Sequence, residues 1–414
     1  MLFVNLFLLY LSLSHSEIIF NLQKEDNSNF YSNFLSDLIT YLELGNPIQK
    51  IPAKITLSNN YYYIIGEGNE TFFEKEKSLS FNLGDKADVM NLPFKECYFS
   101  NDIFQFEYLN KSKNEFKNFP FLYAFKPKNT KENFYSQIGF SSRNIQHGNK
   151  YNLVNRLKKL NLIKSNIYYF DFNNNNFKIV IGEYAEKYQK ETNSEFIYTN
   201  IDTTLYLENI NIEFDNFSYG NNTLNSTINV EFDFSVDGLI GNDNFKKEIN
   251  ELFFKKYIEN KMCSLITYKG KLFYECNNKI NIEEFPSLKF YHKSMNISLE
   301  FNNKDLFNKI QDKYYFMIAF NIKIVYTWTF GCLFFKKYKT LINSDRRLIG
   351  IYIPLSNNKN SIWIKFVIIF ILLFIIMILV FYYVRLLKNK RRHRVNEIEE
   401  NIDYTSIKIQ KTII

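Results

Sequence analysis

Residues 366–384 form a run of 19 without a charge or an amide. At 1.5 Å per residue a helix of that length spans roughly the 30 Å hydrocarbon core of a bilayer, so the run belongs either in lipid or wholly inside protein. Trp363 on one flank and Tyr382-Tyr383 on the other are aromatic residues of the kind that settle at a membrane interface. Arg385, Lys388, Lys390, Arg391, Arg392 and Arg394 follow at once, and the positive-inside rule then places the C-terminus in the cytoplasm. The sequence predicts a transmembrane helix over residues 362–384 and a cytoplasmic tail over 385–414. Within that tail Tyr404-Thr405-Ser406-Ile407 also fits a Tyr-x-x-apolar sorting signal, a pattern short enough to be common.

The other end agrees. Residues 2–13 are almost entirely apolar, and Ser14-His15-Ser16 offers a small-x-small cleavage site, which predicts a signal peptide over 1–16 although no Lys or Arg marks its start. Residues 17–360 are then a lumenal or extracellular ectodomain of a single-pass type I membrane protein, at the cell surface or in an endomembrane, with the lipid bilayer as its first partner. Charge fits this topology: the tail carries eight Lys/Arg against four acids, +4 of the chain's +8. The basic balance is therefore largely an orientation signal and not a nucleic-acid footprint. Six Asn-x-Ser/Thr triplets, at Asn69, Asn110, Asn216, Asn221, Asn225 and Asn296, all fall in the ectodomain and are candidate glycosylation sites.

The ectodomain is long enough for two cores. Its texture is short runs of β-branched and aromatic residues, such as 51–57, 167–172, 177–181, 205–214 and 288–290, broken by Asn, Asp, Gly and Ser, which read as strands and turns. Two segments differ. Leu153, Val154, Leu157 and Leu160 follow helical spacing, as do Phe245, Ile249, Leu252 and Phe253. One helix in each half of a mostly β chain suggests a two-lobed, internally duplicated architecture. Cys263 and Cys276 are equidistant from Lys269-Gly270. A two-residue hairpin turn there puts the cysteines opposite each other at a non-hydrogen-bonded position, within disulfide range. Cys97 and Cys332 have no evident partner and read as small buried apolar residues.

Histidine chemistry has little to stand on. Of four histidines, His15 leaves with the signal, His393 is cytoplasmic, and His147 and His292 have no motif around them, so neither a histidine-based hydrolase nor a metal site is expected. No cofactor is implied. A different constellation does run in order along the chain. Gly45-Asn46-Pro47-Ile48-Gln49 precedes a strand that ends in Thr56-Leu57-Ser58-Asn59-Asn60. Ile138-Gly139-Phe140 comes before the first helix. Phe232-Asp233-Phe234-Ser235-Val236-Asp237-Gly238-Leu239-Ile240-Gly241 precedes the second. Phe285-Pro286-Ser287-Leu288-Lys289-Phe290, Trp328-Thr329-Phe330-Gly331-Cys332-Leu333-Phe334 and Arg347-Leu348-Ile349-Gly350 follow.

This succession resembles the pepsin-like aspartic peptidases: their G-x-P-x-Q turn, first D-T-G-S-S loop, I-L-G-L strand, second D-T-G-T-S loop, L-P-x-I-x-F strand and closing W-I-L-G-D-x-F strand. The resemblance covers most of residues 40–355. It implies a bilobal, mostly β fold with few short helices, an N-lobe over about 38–185, a C-lobe over about 200–356, and a cleft between them. It also implies a catalytic pair at Thr56 and Asp233. That chemistry needs two carboxylates sharing a proton, and the first is replaced by Thr56, whose hydroxyl is no carboxylate base. Leu57 and Phe234 stand where the family braces its loops with threonines, Ser58 and Ser235 where it has glycines, and residues 90–97 lack the flap's Tyr and glycines. Asp237, beside Gly238, reads as a turn residue and is the one nearby substitute acid. The expectation is a membrane-anchored, non-catalytic pseudo-peptidase that binds a peptide or protein in its cleft. Two alternatives stand beside it: an active aspartic endopeptidase using Asp233 with a non-standard partner, and a structural or adhesive surface glycoprotein.

Overall fold

The computed structural model describes residues 17–24, 29–57, 62–66, 72–87, 94–108, 110–127, 135–140, 152–173, 176–182, 196–201, 210–220, 222–224, 227–323, 325–352 and 359–410. The expected signal segment 1–16, Ser58, residues 90–93 of the stretch compared with a flap, His147 and the sequons Asn69, Asn221 and Asn225 lie outside them. So do residues 205–209, the first part of the strand expected over 205–214. The chain divides into two compact units, Met1–Ile353 and Pro354–Ile414.

The first unit is built almost wholly from strands, as its runs of alternating β-branched and aromatic residues require. Phe94–Tyr108 and Lys113–Pro127 show why: inward residues such as Ser100, Phe104, Phe106, Phe119 and Phe121 are buried, and the two strands pair antiparallel along nearly their whole length. A bulge between Asp102 and Phe104 breaks the ladder. There the buried Asp102 carboxylate accepts from the hydroxyls of Ser78 and Ser80 and from the Ile103 amide, which fixes the irregularity.

Each half of this unit contains the same crossing. In the first, Gln49–Thr56 runs parallel to Ser136–Gly139, which is antiparallel to Tyr62–Ile65, itself parallel to Lys113–Pro127. In the second, Ile228–Phe232 runs parallel to Trp328–Phe330, which is antiparallel to Leu239–Gly241, itself parallel to Ile318–Asn321. The halves meet in a run of six antiparallel strands, ordered Phe196–Asn200, Leu348–Tyr352, Thr340–Asn343, Ile167–Asn173, Asn176–Ile181, Ile18–Lys24. Three come from each half, and the order is symmetric about its middle. The chain is thus a duplicated, mostly β structure, as the order of motifs suggested.

The helices stand where the periodicity put them, with two differences. Leu153–Lys159 buries Leu153, Val154 and Leu157, but Leu160 caps the helix and is exposed. The second helix, Asp243–Ile249, widens into a π turn over Asn250–Phe254 before continuing as Lys255–Glu259. The extra residue in that turn rotates the face, so Leu252 points outward at 56% exposure and Phe254 is buried beside Phe253. Phe254 lies flat on Tyr274, ring centres 3.8 Å apart.

The hairpin of Cys263–Tyr268 and Lys271–Asn277 has the expected register, Cys263 opposite Cys276, and the two are disulfide-bonded with Cα atoms 4.0 Å apart. Lys269 and Gly270 both have positive φ, 43° and 75°, as a type I′ turn demands. Closing a loop of this length removes on the order of 3 kcal/mol of chain entropy from the unfolded state. Cys97 and Cys332 are buried thiols.

The second unit is one helix, Lys359–Gln410, whose stretch Val367–Arg392 is long and apolar enough to cross a membrane. The apolar side chains from Val367 to Leu387 are exposed. The helix continues beyond residue 384 through most of the basic tail, Tyr404-Thr405-Ser406-Ile407 included.

Candidate functional site

The two crossings give Thr56 and Asp233 the same station. Thr56 ends its strand opposite Gly139 and accepts from the Phe140 amide at 2.9 Å. Asp233 follows Phe232, which pairs with Phe330, and donates its own amide to the Phe330 carbonyl at 3.1 Å, so Gly331 is the counterpart of Gly139. Thr56 is 4% exposed and Asp233 half-buried.

The Asp233 carboxylate is occupied from within its own loop. One oxygen accepts from the Ser235 amide at 2.9 Å and the other from the Ser235 hydroxyl at 2.7 Å. Ser235 therefore holds the carboxylate and is more than a replacement for glycine. The Lys271 ammonium lies in the field of Asp233 and Glu231. Burial pulls its pKa down, those two carboxylates offset part of the fall, and its hydrogen bond goes to Asn321.

Leu57 and Phe234, in the places of the paired threonines, are both fully buried and belong to one hydrophobic cluster. Phe234 packs on Phe170, Phe172 and Phe335, with ring centres 5.2, 5.5 and 4.7 Å away. Phe170 and Phe172 lie on a strand of the central six. Apolar packing thus anchors these loops where hydroxyls would otherwise brace them, and no hydroxyl is supplied at 57 or 234 to orient a reacting group.

Asp237 has a fixed role of its own. It forms ion pairs with Lys336 at 2.8 Å and Lys24 at 3.2 Å. Burial alone would raise its pKa, but the two ammonium groups outweigh burial and hold it below the usual carboxylate range. An acid held ionised between two lysines cannot carry the proton that the chemistry requires of one partner. Cys332, beneath the loop, has its thiol pushed up to about 12, first by burial and then by Asp237, so it is no nucleophile.

An arm from the N-terminus secures the same loop. The short helix Phe30–Phe34 follows the strand that bears Lys24, and the Phe34 carbonyl accepts from the Asp237 amide at 2.8 Å. Phe30 stacks on Tyr315 with ring centres 4.1 Å apart, Tyr31 donates to Glu275, and Ser32 bonds Tyr268 at 2.6 Å. Sequence reasoning missed Lys24, Lys336, Lys271 and this arm, because each meets the loop from a distant part of the chain and leaves no local pattern.

Of the described sequons, Asn110 and Asn296 are exposed at turns and Asn216 is a partly exposed strand residue. The Asn110 amide oxygen accepts from the amide and hydroxyl of Ser112, the residue that completes its triplet.

No family model and no curated protein matches the sequence. Solved structures do. Basic 7S globulin from soybean superposes with a TM-score of 0.58 at 13% identity, over 81% of this chain and 96% of that one. Conglutin gamma, a basic 7S globulin from lupine seeds, gives 0.59 at 10% identity, over 82% and 95%. At such identities the likeness speaks for the fold alone: the chain has the mostly β pepsin-like fold, with one apolar C-terminal helix long enough to span a membrane.

Proposed function

We propose that this chain is a membrane-anchored pseudo-peptidase, a pepsin-like ectodomain that binds a peptide or protein between its lobes and does not cleave it. The reading rests on the two matched crossings, one strand ending in Thr56 and the other followed at once by Asp233. A dyad works by sharing one proton between two carboxyls. With threonine on one side, the described residues supply no second carboxyl to share it, and Asp237 is already neutralised by Lys24 and Lys336. In this reading Thr56 and Asp233 face each other across the cleft, and the lobes follow the divisions at about 38–185 and 200–356.

Peptide cleavage between pH 3 and 6, with and without pepstatin, is the test. The purified protein should show no turnover, and Thr56→Asp should not create it, because Leu57, Phe234 and Ser235 leave the loops packed differently from a working dyad. Pepstatin-sensitive cleavage by the wild type, abolished by Asp233→Ala, would make the protein an enzyme and end this reading.

The topology follows from residues 366–384 and the basic residues after them, with signal removal at about 16 and residues 17–360 lumenal or extracellular. Expressed in a secretory system, the chain should stay in the membrane pellet through alkaline carbonate and lose mass on N-glycan removal. A form ending at 360 should be released. Release of the full chain by carbonate, or protease access to the tail from the outer face, would refute the anchor or its orientation.

A further inference from the structure

Away from the cleft, the first half holds a small cavity of about 210 Å³ walled by Tyr62, Phe99, Ser100, Pro120–Leu122, Asn152, Arg156 and Lys159. Three of its polar atoms are buried and have no hydrogen-bond partner among the described residues: the Tyr62 hydroxyl, the Ser100 hydroxyl and Arg156 Nε. Tyr62 and Ser100 are 2% and 3% exposed. Ser100 occupies the inward row of its strand, a row otherwise continued by Asp102, Phe104 and Phe106, and Asp102 is satisfied by its own serines. Buried polar groups in folded proteins are almost always paired, so three orphans around one small space are a feature to explain.

Their chemistry is one-sided. Arg156 Nε can only donate, and Lys159, one helical turn on, adds an ammonium on the same face. Both hydroxyls can donate. The Asn152 amide is already used, its oxygen by the Asn155 amide at 3.0 Å and its nitrogen by the Gly139 carbonyl at 3.3 Å. Among the described residues no carboxylate lines the space. Drug-sized ligands need pockets of roughly 300 Å³ or more, so only a small group fits.

We propose that this cavity binds a tetrahedral oxyanion, a phosphate or sulfate group, held by Arg156, Lys159, Tyr62 and Ser100. The group is either a free anion or the end of a larger molecule entering from the Lys159 side, where the wall is exposed.

Isothermal titration of the full chain in detergent tests this, using inorganic phosphate, sulfate, glycerol 3-phosphate and, at matched ionic strength, chloride. Saturable phosphate or sulfate binding is expected. Arg156→Gln should weaken it tenfold or more and Lys159→Gln several-fold. Lys158→Gln should leave it unchanged, since Lys158 is engaged with Asp345 on another side. Should Arg156→Gln fail to fold, Lys159→Gln, on the surface, carries the test. Glycerol 3-phosphate binding as tightly as the free anion supports a site for a carried phosphate, and its exclusion supports a free anion. Heats equal to chloride for every oxyanion, or Arg156→Gln and Lys159→Gln titrating like wild type, would overturn the proposal.

Discussion

Gly331→Ala should be among the most damaging single-methyl changes in the β-rich unit, costing more than about 4 kcal/mol. A Cβ at this position would lie 2.0 Å from the Val236 carbonyl oxygen and 2.5 Å from that of Gly238. Both obstacles are backbone, so no side-chain rotation relieves them. Nor can the loop draw back, because it is fastened there three times: Gly331 donates to Gly238 at 3.0 Å, Cys332 to Val236 at 2.7 Å and Leu333 to Asp237 at 2.6 Å. Separation of the strands by the ångström or more that a methyl requires would break this set and pull Asp233 from the Phe330 carbonyl. Chemical denaturation should show a lower midpoint or a chain that is not recovered folded. Gly270→Ala is the control. No atom of the described residues lies within 4 Å of its added methyl, and the positive φ of 75° is what opposes it, so its cost should stay near 1 kcal/mol. Equal stability of Gly331→Ala and wild type would mean that the crossing is drawn wrongly.

Asp237→Asn should cost about 3 kcal/mol at neutral pH, the lower end of what removing one partner of a buried ion pair costs, because the side chain keeps 20% exposure. The loss arises mainly from what remains: Lys24, whose ammonium burial already disfavours, and Lys336 beside it without a counter-charge. Lys24→Met in the Asp237→Asn background should therefore recover part of the loss, and a double-mutant cycle should show the two changes to be strongly coupled. The sign of the pH dependence is fixed. A carboxyl whose folded pKa is depressed contributes its full stability above its unfolded value of about 3.9 and loses it as pH falls through the lower folded value. The gap between wild type and Asp237→Asn should be constant from neutral pH down to about 4 and close below that. A gap that widens on acidification would show that the lysines do not hold Asp237 ionised.

The parts of this structure that were legible in the sequence are those written in local pattern. Lys269-Gly270 demands one turn type, the turn sets the register, and the register brings Cys263 to Cys276. Gly139 and Gly331, each after a buried strand residue, mark the two crossings. Leu153, Val154 and Leu157 keep strict helical phase, and that helix begins where they do. Phase failed at Leu252, where the π turn advanced the face by one residue and exchanged Leu252 for Phe254. Nothing in the residue types distinguishes the two, because both are large and apolar, and the ring on which Phe254 stacks, Tyr274, comes from a strand further along the chain. The strand Ile18–Lys24 buries Ile18, Phe20 and Leu22, but it is short and lies beside a longer apolar segment that masks its alternation. The ion pairs of Asp237 were illegible for a different reason. Charge attraction between segments far apart in the chain imposes no spacing on either, so Lys24 and Lys336 look like any other lysines until the fold brings them in.

The central six strands set a schedule for making the molecule. Ile167–Asn173 pairs on one side with Asn176–Ile181, its hairpin partner, and on the other with Thr340–Asn343, made much later. Leu348–Tyr352, which closes the sheet onto Phe196–Asn200, is the last strand before the C-terminal helix. A chain emerging N-terminus first must carry the open edge of Ile167–Asn173 through synthesis of the entire second half. An unpaired edge is a template for the wrong strand, and Phe196–Asn200 becomes available first. During biosynthesis, therefore, the seam between the halves is, among the described strands, the longest-standing exposure to mispairing, and it is sealed only as the residues next to the apolar helix leave the ribosome.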